Sequence, residues 1–141
     1  MKPFLLLLSF FLFGQINLFS KEMRTLQKIY LVKDEEVKIS VKYKRFTKIF
    51  TLRWTLYKNE GLVTFHSYSK QVFQHVLYLN TTNQNFKQHL KPKGADFYET
   101  PYFLVNFKEY DPKKKRVRFK IILYDPKKQI KVEFIKQRNT E

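Results

Sequence analysis

The chain of 141 residues has no cysteine, only three glycines, and only 12 acidic residues against 28 Lys and Arg. Without cysteine it is not a disulfide scaffold, a thiolate zinc protein, a cysteine enzyme or a lipoprotein anchored through a lipidated cysteine. Three glycines leave little backbone for a glycine-rich phosphate loop. The length excludes two domains of ordinary size. Apolar residues form 43% and aromatic residues 18% of the chain, too much for a disordered tail despite the net charge of +16.

The N-terminus has the pattern of a secretory signal peptide. Met1-Lys2 is a short basic start, and residues 4–13 form an almost unbroken apolar run. About ten apolar residues is half of what a helix needs to cross a bilayer. We therefore predict a signal peptide over residues 1–20, a single domain over residues 21–141, and a periplasmic or secreted location. An uncleaved N-terminal anchor is the alternative, because Leu18 stands where a cleavage site favours a small residue.

The rest of the chain alternates apolar and polar residues with a period of two. Residues 37–44 and 50–56 show this most clearly, and the pattern is typical of strands with one buried face. Further strands are predicted over 26–33, 62–68, 72–79, 102–110, 116–124 and 130–136, with an edge strand around 86–90. No segment has the period of a convincing amphipathic helix. We predict an all-β domain, a single antiparallel β-sandwich of about seven to nine strands.

One short repeat, Tyr-Asp-Pro-Lys-Lys, occurs at residues 110–114 and again at 124–128. Asp followed by Pro is type I turn chemistry, so both copies are predicted to be hairpin loops. Keeping apolar residues opposite each other on one face gives a first loop over residues 111–115 and a second over 125–128. These loops join three strands into a predicted meander over residues 102–136.

Both hairpin registers assign the same residues to the core. They pair Phe119 with Phe107 across the first loop and with Phe134 across the second. The residues of the middle strand that are predicted to be buried are Phe119, Ile121 and Leu123.

The same registers predict a cationic outer face on this meander. They place Lys108 opposite Arg118, and Lys120 between Asn106 and Glu133. Directly opposed cations destabilise a sheet unless solvent or a bound anion screens them. The predicted anion-contacting residues are Lys108, Arg116, Arg118, Lys120 and Lys131. The alternative is that these charges are only solvated and protect the sheet from aggregation.

A tryptophan strand followed by a polar turn resembles part of the immunoglobulin-like fold. Trp54 occupies an inward position, and Tyr57-Lys58-Asn59-Glu60-Gly61 follows it. Asp96-Phe97-Tyr98 resembles the corner before the penultimate strand of that family. No cysteine pair brackets Trp54, so the resemblance concerns only the wider immunoglobulin-like β-sandwich, over residues 26–124 at most. It implies binding or adhesion rather than catalysis, although such a fold does not specify a function.

No recognisable catalytic or metal site emerges. A two-residue turn at Lys70-Gln71 would place His66 opposite His75, but no carboxylate has a spacing that supplies a third ligand. The acidic residues are accounted for by turns, and no serine lies in a nucleophile motif. We predict that the protein is not an enzyme, has no catalytic residue, and binds no metal or cofactor.

Together these patterns predict an exported, non-enzymatic binding or interaction module of the cell envelope. The predicted partner is an anionic envelope component, namely lipid phosphate, lipopolysaccharide or an acidic protein, with peripheral membrane contact. Nucleic acid is disfavoured because the alternation sends aromatic residues inward, away from a stacking surface. The alternative is a structural or assembly protein in which an exposed strand edge pairs with a strand of another protein. A genome rich in A and T would also raise the lysine content, so function is not the only explanation of the charge.

Overall fold

The computed structural model describes residues 23–90 and 100–135, which form two antiparallel β-sheets packed face to face. The nine strands of these residues are β1 (Met23–Val32), β2 (Val37–Tyr43), β3 (Phe46–Lys58), β4 (Gly61–Tyr68), β5 (Gln71–Tyr78), β6 (Asn85–His89), β7 (Tyr102–Asp111), β8 (Arg116–Tyr124) and β9 (Ile130–Ile135). The predicted all-β sandwich is confirmed. Among the described residues there is no helix of the length and hydropathy that crossing a membrane requires. The predicted signal peptide, residues 1–20, and the Asp96-Phe97-Tyr98 corner lie outside the described residues.

Each sheet is built around a meander of consecutive strands. Sheet A has the order β1-β8-β7-β6, and sheet B has the order β5-β4-β3-β2-β9. The first and last strands are exchanged between the meanders, since β1 pairs with β8 and β9 pairs with β2. The chain therefore crosses between the sheets after β1, after β5 and after β8. Among the described strands, the edges of the sandwich are β1 and β6 in sheet A and β5 and β9 in sheet B.

The core lies between the two sheets and is filled by the inward residue of each alternating pair. Its fully buried phenylalanines are Phe50, Phe103, Phe107 and Phe119. Phe50 of sheet B meets Phe103 of sheet A edge to face, with ring centroids 5.2 Å apart. Trp54 is also buried, and its Nε1 donates to the Leu31 carbonyl at 2.8 Å. This bond ties the central strand of sheet B to β1 of sheet A.

The first Tyr-Asp-Pro-Lys-Lys copy forms a hairpin, as predicted, but the loop is residues 112–115 and not 111–115, because Asp111 pairs with Arg116. The predicted β7–β8 register is confirmed where Phe107 faces Phe119. Phe119, Ile121 and Leu123 are all buried, as predicted. The Asp111 carboxylate accepts hydrogen bonds from the amides of Lys113 and Lys114 at 3.0 and 3.2 Å. This is the Asp turn chemistry from which the loop was predicted.

The second copy does not form a hairpin, and the prediction that β9 pairs with β8 is wrong. The chain crosses to the other sheet, where Phe134 faces Ile39 and Glu133 faces Ser40 of β2. The Asp125 carboxylate accepts hydrogen bonds from the amides of Gln129 and Ile130 at 3.2 and 2.8 Å, and so holds the start of β9. The edge of β8 is occupied by β1 instead. The alternation of apolar and polar residues does not show whether β1 or β9 lies beside β8, because both strands have this alternation.

The β4–β5 hairpin turns one residue earlier than predicted. Ser69 and Lys70 form a two-residue turn in which both have positive φ, 53° and 66°. Such a turn matches the twist of two antiparallel strands, even without the glycine or asparagine that favours it. The resulting register places Phe73 opposite His66 and His75 opposite Thr64. The two histidines are therefore diagonal neighbours rather than direct partners.

Candidate anion-contacting site

Strand β8 brings three of the five predicted cations to the outer face of sheet A. Its alternation buries Val117 and Phe119 completely and turns the intervening residues to the opposite face. The predicted cations on this face of β8 are Arg116, Arg118 and Lys120. All three are only partly exposed, because β8 has β1 on one side and β7 on the other.

Lys108 does not lie opposite Arg118, contrary to the sequence prediction. The β7–β8 register shifts between Phe107 and Glu109, so Glu109 is the residue that faces Arg118. Oε2 of Glu109 lies 3.4 Å from Nη2 of Arg118. The arginine therefore has an acidic partner within its own sheet and does not need an external anion to offset an opposed lysine.

The bulge at Lys108 is explained by the packing of Tyr110. Strict alternation from the inward Phe107 would turn Tyr110 to the outer face, and one extra residue returns it to the core. The Tyr110 ring stacks on Tyr57 at 4.0 Å between centroids and meets Trp54 edge to face at 6.1 Å. Such aromatic pairs contribute roughly 0.5–1.5 kcal/mol beyond the burial of their area, which offsets the disrupted ladder.

Arg116 is held against β1 and opposite an acid. Its guanidinium carbon lies 4.5 Å from the centroid of the Tyr30 ring, a cation–π distance. Asp111 is its cross-strand partner. The Nε atoms of Arg116 and Arg118 are buried and have no hydrogen-bond partner among the described residues. Both guanidinium groups are thus packed along the sheet, with carboxylates nearby.

Lys131 lies in sheet B and takes no part in this face. It pairs with Lys42 of β2. In the place predicted for β9, β1 brings Lys28 directly opposite Lys120. Sequence reasoning missed Lys28, although it precedes the buried Ile29 and so has an outward position in the alternation of β1.

Four side chains with N–H donors form one row across the outer face of sheet A. The row consists of Lys28 on β1, Lys120 on β8, Asn106 on β7 and Asn85 on β6. We call it the lysine-asparagine row. The pairing of Asn106 with Lys120 was predicted, and it is confirmed. Neither lysine forms an ion pair with another described residue, so the row offers ammonium and amide donors to the oxygen atoms of an anion.

His66 and His75 come together in the core, but as stacked rings. Their centroids are 4.9 Å apart with 14° between the planes, and Phe86 stacks on both at 4.3 and 4.5 Å. A histidine nitrogen binds a metal in the plane of its ring, so two stacked rings do not direct their lone pairs at one ion. Among the described residues, no three His, Cys, Asp or Glu are grouped so that they could hold a metal.

His66 is buried and uncharged at neutral pH. Its Nε2 donates to Oε1 of Gln88 at 2.9 Å, and the amide nitrogen of Gln88 donates to the His89 carbonyl, which fixes the orientation of the amide. The pKa of His66 is lowered to about 4, mainly by burial and secondly by the charge of His75, while the Gln88 bond opposes both. Burial also lowers the pKa of His75. The two rings therefore add no positive charge near pH 7.

An apolar cavity of about 120 Å³ lies beside the β2–β3 hairpin. Its lining residues are Val41, Tyr43, Phe46, Lys48, Tyr68 and Leu90. The Tyr68 hydroxyl donates to the Leu90 carbonyl at 2.7 Å, and Lys48 Nζ lies 5.6 Å from the Tyr68 ring centroid. Burial raises the pKa of Tyr68 to about 12, so this phenol keeps its proton at neutral pH. The lining contains no nucleophile beside a general base.

In comparisons with known proteins, no family model, no curated protein and no solved structure matched this chain. Its function is therefore inferred from the residues and their arrangement.

Proposed function

We propose that the protein is an exported, non-enzymatic binding module of the cell envelope that contacts anionic groups through the lysine-asparagine row. The proposal is carried by the row as a whole, in which the directly opposed Lys28 and Lys120 are continued by two asparagines and no carboxylate intervenes. Opposed lysines repel each other at a short distance, and an anion bound between them relieves that repulsion. The amides of Asn106 and Asn85 supply further donors along the same line.

The proposed ligands are phosphate groups at the surface of an envelope membrane. Each lysine near an anionic membrane surface contributes about 1 kcal/mol of attraction. Single exposed contacts are weak and salt-sensitive, so useful affinity comes from several phosphates presented together. Lipopolysaccharide carries the same phosphate chemistry, and an acidic protein is the alternative ligand. Arg116 and Arg118 flank the row, but the neighbouring carboxylates of Asp111 and Glu109 reduce their contribution.

Export rests on the N-terminal sequence. The basic start and the apolar run within residues 1–20 support a signal peptide, and a periplasmic or secreted location follows from it. An exported protein of this charge is attracted to the anionic surfaces of membranes.

An immunoglobulin-like assignment remains a proposal at the level of architecture. The buried Trp54 in a central strand of a two-sheet sandwich supports it. The placement of β2 to β5 side by side in one sheet does not resemble the strand order of that family. The functional proposal does not depend on this assignment.

The test is the binding of the protein, expressed from its full sequence, to vesicles of phosphatidylcholine with and without phosphatidylglycerol at physiological salt. We expect binding only when phosphatidylglycerol is present. The double change Lys28→Gln and Lys120→Gln removes about 2 kcal/mol of attraction, or roughly thirtyfold in affinity. Cosedimentation or surface plasmon resonance measures the loss.

The chain offers a matched control on the other sheet. Lys42 and Lys131 are also directly opposed, so changing both to Gln removes the same charge from the same kind of pair. We expect less than a threefold loss from this control, a difference of about 0.6 kcal/mol. Equal losses for both double variants would show that binding follows net charge alone and would exclude a site at the row.

A further inference from the structure

Strand β5 is an edge strand whose free backbone groups belong to alternate residues. Tyr68 and Gln71 flank the two-residue turn and so form the hydrogen-bonded pair that closes the hairpin. Every second residue of β5 after Gln71 therefore bonds to β4, and the intervening residues direct their amides and carbonyls away from the sheet. Tyr78 is one of these outward residues, and its amide donates to the Asn83 carbonyl at 3.0 Å instead of to β4. The outward groups left at this edge are those of Val72, Gln74 and Val76.

The other three edges of the described sheets carry features that discourage pairing with another chain. The register of β1 shifts between Thr25 and Gln27, and Lys28 follows closely. Strand β6 has only five residues and includes Lys87. Strand β9 presents Lys131 and Glu133 in its short length.

Strand β5 has none of these features. It has eight residues in regular register with β4 and contains no Lys, Arg, Asp or Glu. Val72 is 70% exposed, and Phe73 and Val76 are each 40% exposed. A long, regular, uncharged edge with exposed β-branched and aromatic side chains is the kind that accepts another strand.

We propose that β5 pairs antiparallel with β5 of a second copy of this chain, around a two-fold axis that passes through Gln74. Outward backbone groups must meet outward groups, and only this register uses all three free residues of both copies. It sets Gln74 against the partner's Gln74 and Val72 against the partner's Val76. The pairing forms about six backbone hydrogen bonds and joins the two B sheets into one. A C2 axis is the commonest symmetry of homodimers.

The side chains suit this register on both faces. On the outer face, Val72 lies beside the partner's Val76, and the two Gln74 amides can bond to each other. On the inner face, Phe73 lies opposite the partner's His75. No pair in this register opposes like charges.

The charge distribution permits a second copy as the occupant, and the register through Gln74 makes this edge complementary to itself. Two molecules of net charge +16 repel each other, so they associate where the local charge is lowest. Lys70 is the only Lys, Arg, Asp or Glu between Gly61 and Phe86, and this segment contains the whole β4–β5 hairpin. An anionic partner, by contrast, is attracted to the lysine-asparagine row on the other sheet. The inference is therefore independent of the proposed anion binding.

The oligomeric state of the protein, expressed from its full sequence, tests the proposal by sedimentation velocity over a concentration series. We expect a reversible monomer–dimer equilibrium. The double change Val72→Lys and Val76→Lys opposes two lysine pairs across the axis and should weaken the dimer by more than about tenfold. The double variant Val72→Lys and Val76→Glu places a lysine opposite a glutamate at both positions instead, and its dimer affinity should recover. Only the register through Gln74 predicts this rescue.

A matched control adds the same charge away from β5. Ile49 and Ile135 are outward residues of sheet B that are 40% and 41% exposed, and changing both to Lys should leave the equilibrium within about threefold of the unchanged protein. Unchanged circular dichroism spectra show that each variant is folded. Equal weakening by the control would overturn the proposal, because the effect would then come from net charge. A protein that remains monomeric throughout the series would overturn it as well.

A cross-link tests the axis directly, since the chain contains no cysteine. Gln74→Cys places two thiols across a hydrogen-bonded pair whose Cα atoms lie about 5.5 Å apart, within the range of a disulfide. Mild oxidation should give a covalent dimer, whereas Ser67→Cys on β4 should not. The Lys28→Gln and Lys120→Gln variant should still dimerise, so failure of the anion-binding proposal is distinguishable from failure of this one.

Discussion

The two sides of the sandwich differ sharply in charge. On the side of β1 and β9, lysines of neighbouring strands face each other directly, Lys28 with Lys120 in sheet A and Lys42 with Lys131 in sheet B. On the side of β5 and β6, stacked His66, His75 and Phe86 fill the space between the sheets. The β4–β5 hairpin on that side has Lys70 as its only charged residue.

This difference shows that the net charge of +16 is not a uniform coat. A codon bias toward lysine acts on every segment alike, and it does not explain a hairpin that is almost free of charge beside strands that oppose their lysines. The cationic side retains a repulsion that solvent or a ligand must screen. The neutral side retains an exposed edge that charges usually protect. The opposed lysines of the row and the uncharged edge of β5 are both unfavourable for an isolated protein. They lie where we propose anion binding and dimerisation.

The largest expected effect is the pH dependence of the free energy of unfolding, which we attribute to His66 on the neutral side. The pKa of His66 is about 4 in the folded protein, against 6.5 for an unperturbed histidine. Above pH 6.5 the ring is neutral in both the folded and the unfolded state, and as the pH falls toward 4 only the unfolded chain takes up the proton. The free energy of unfolding should therefore fall on acidification, by on the order of 2–3 kcal/mol between pH 7.5 and pH 4.5. Urea denaturation at several pH values measures this.

His66→Gln and His89→Gln separate this effect from general acid sensitivity. An amide at position 66 can still bond to Gln88 but does not titrate, so most of the loss between pH 7.5 and pH 4.5 should disappear. His89 is an exposed residue at the end of β6, and its replacement should leave the loss in place. A His66→Gln protein with an unchanged pH profile would show that the buried ring does not control acid stability.

Much of the fold could be predicted because the alternation is strong. Each predicted strand corresponds to an observed strand among the described residues, and Phe119, Ile121 and Leu123 are buried as predicted, although only the first of the two loop registers is right. Local pattern and turn chemistry specify which residues face inward, since a strand has only two faces. They do not specify which strand lies beside which.

The two copies of Tyr-Asp-Pro-Lys-Lys show where sequence reasoning ends. In both copies the Asp carboxylate accepts hydrogen bonds from two backbone amides. Asp111 does so in a hairpin loop, and Asp125 does so in a connection that crosses to the other sheet. The same local chemistry therefore serves two connections, and the partner of β8 is decided by packing across the whole sandwich. Lys131 was assigned to the wrong sheet for this reason, and Lys28 was missed. The pairing of Glu109 with Arg118 was missed for a different reason. It results from the bulge at Lys108, which depends on the aromatic residues of sheet B that Tyr110 contacts.

An intermediate effect is expected from the crossover on the cationic side. Asp125→Ala removes a partly buried carboxylate that holds the amides of Gln129 and Ile130. We expect a loss of about 1–2 kcal/mol in the free energy of unfolding, since those amides lose their acceptor at the start of β9. Asp111→Ala removes the corresponding bonds in an exposed hairpin loop, where water can replace them, and should cost less than about 1 kcal/mol. Chemical denaturation compares the two variants, and equal losses would contradict a special role for the crossover.

The smallest effect is a gain in stability on the cationic side. Lys28→Gln removes one member of the directly opposed pair with Lys120, so the free energy of unfolding should rise by a few tenths of a kcal/mol at low salt. Lys87→Gln on the other side removes an ammonium that lies 4.7 Å from the Tyr102 ring centroid, and should lower it by up to about 1 kcal/mol.

If Lys28→Gln raises the free energy of unfolding and Lys87→Gln lowers it, the repulsion arises between the lysines of the row and not from the net charge of the protein. The gain from Lys28→Gln should vanish near 1 M salt, where the Debye length is about 3 Å. A gain that persists at high salt would have a packing origin instead. Because the variant that unfolds less readily should also bind anionic vesicles more weakly, the two measurements together indicate whether the opposed lysines are retained for contact at the expense of stability.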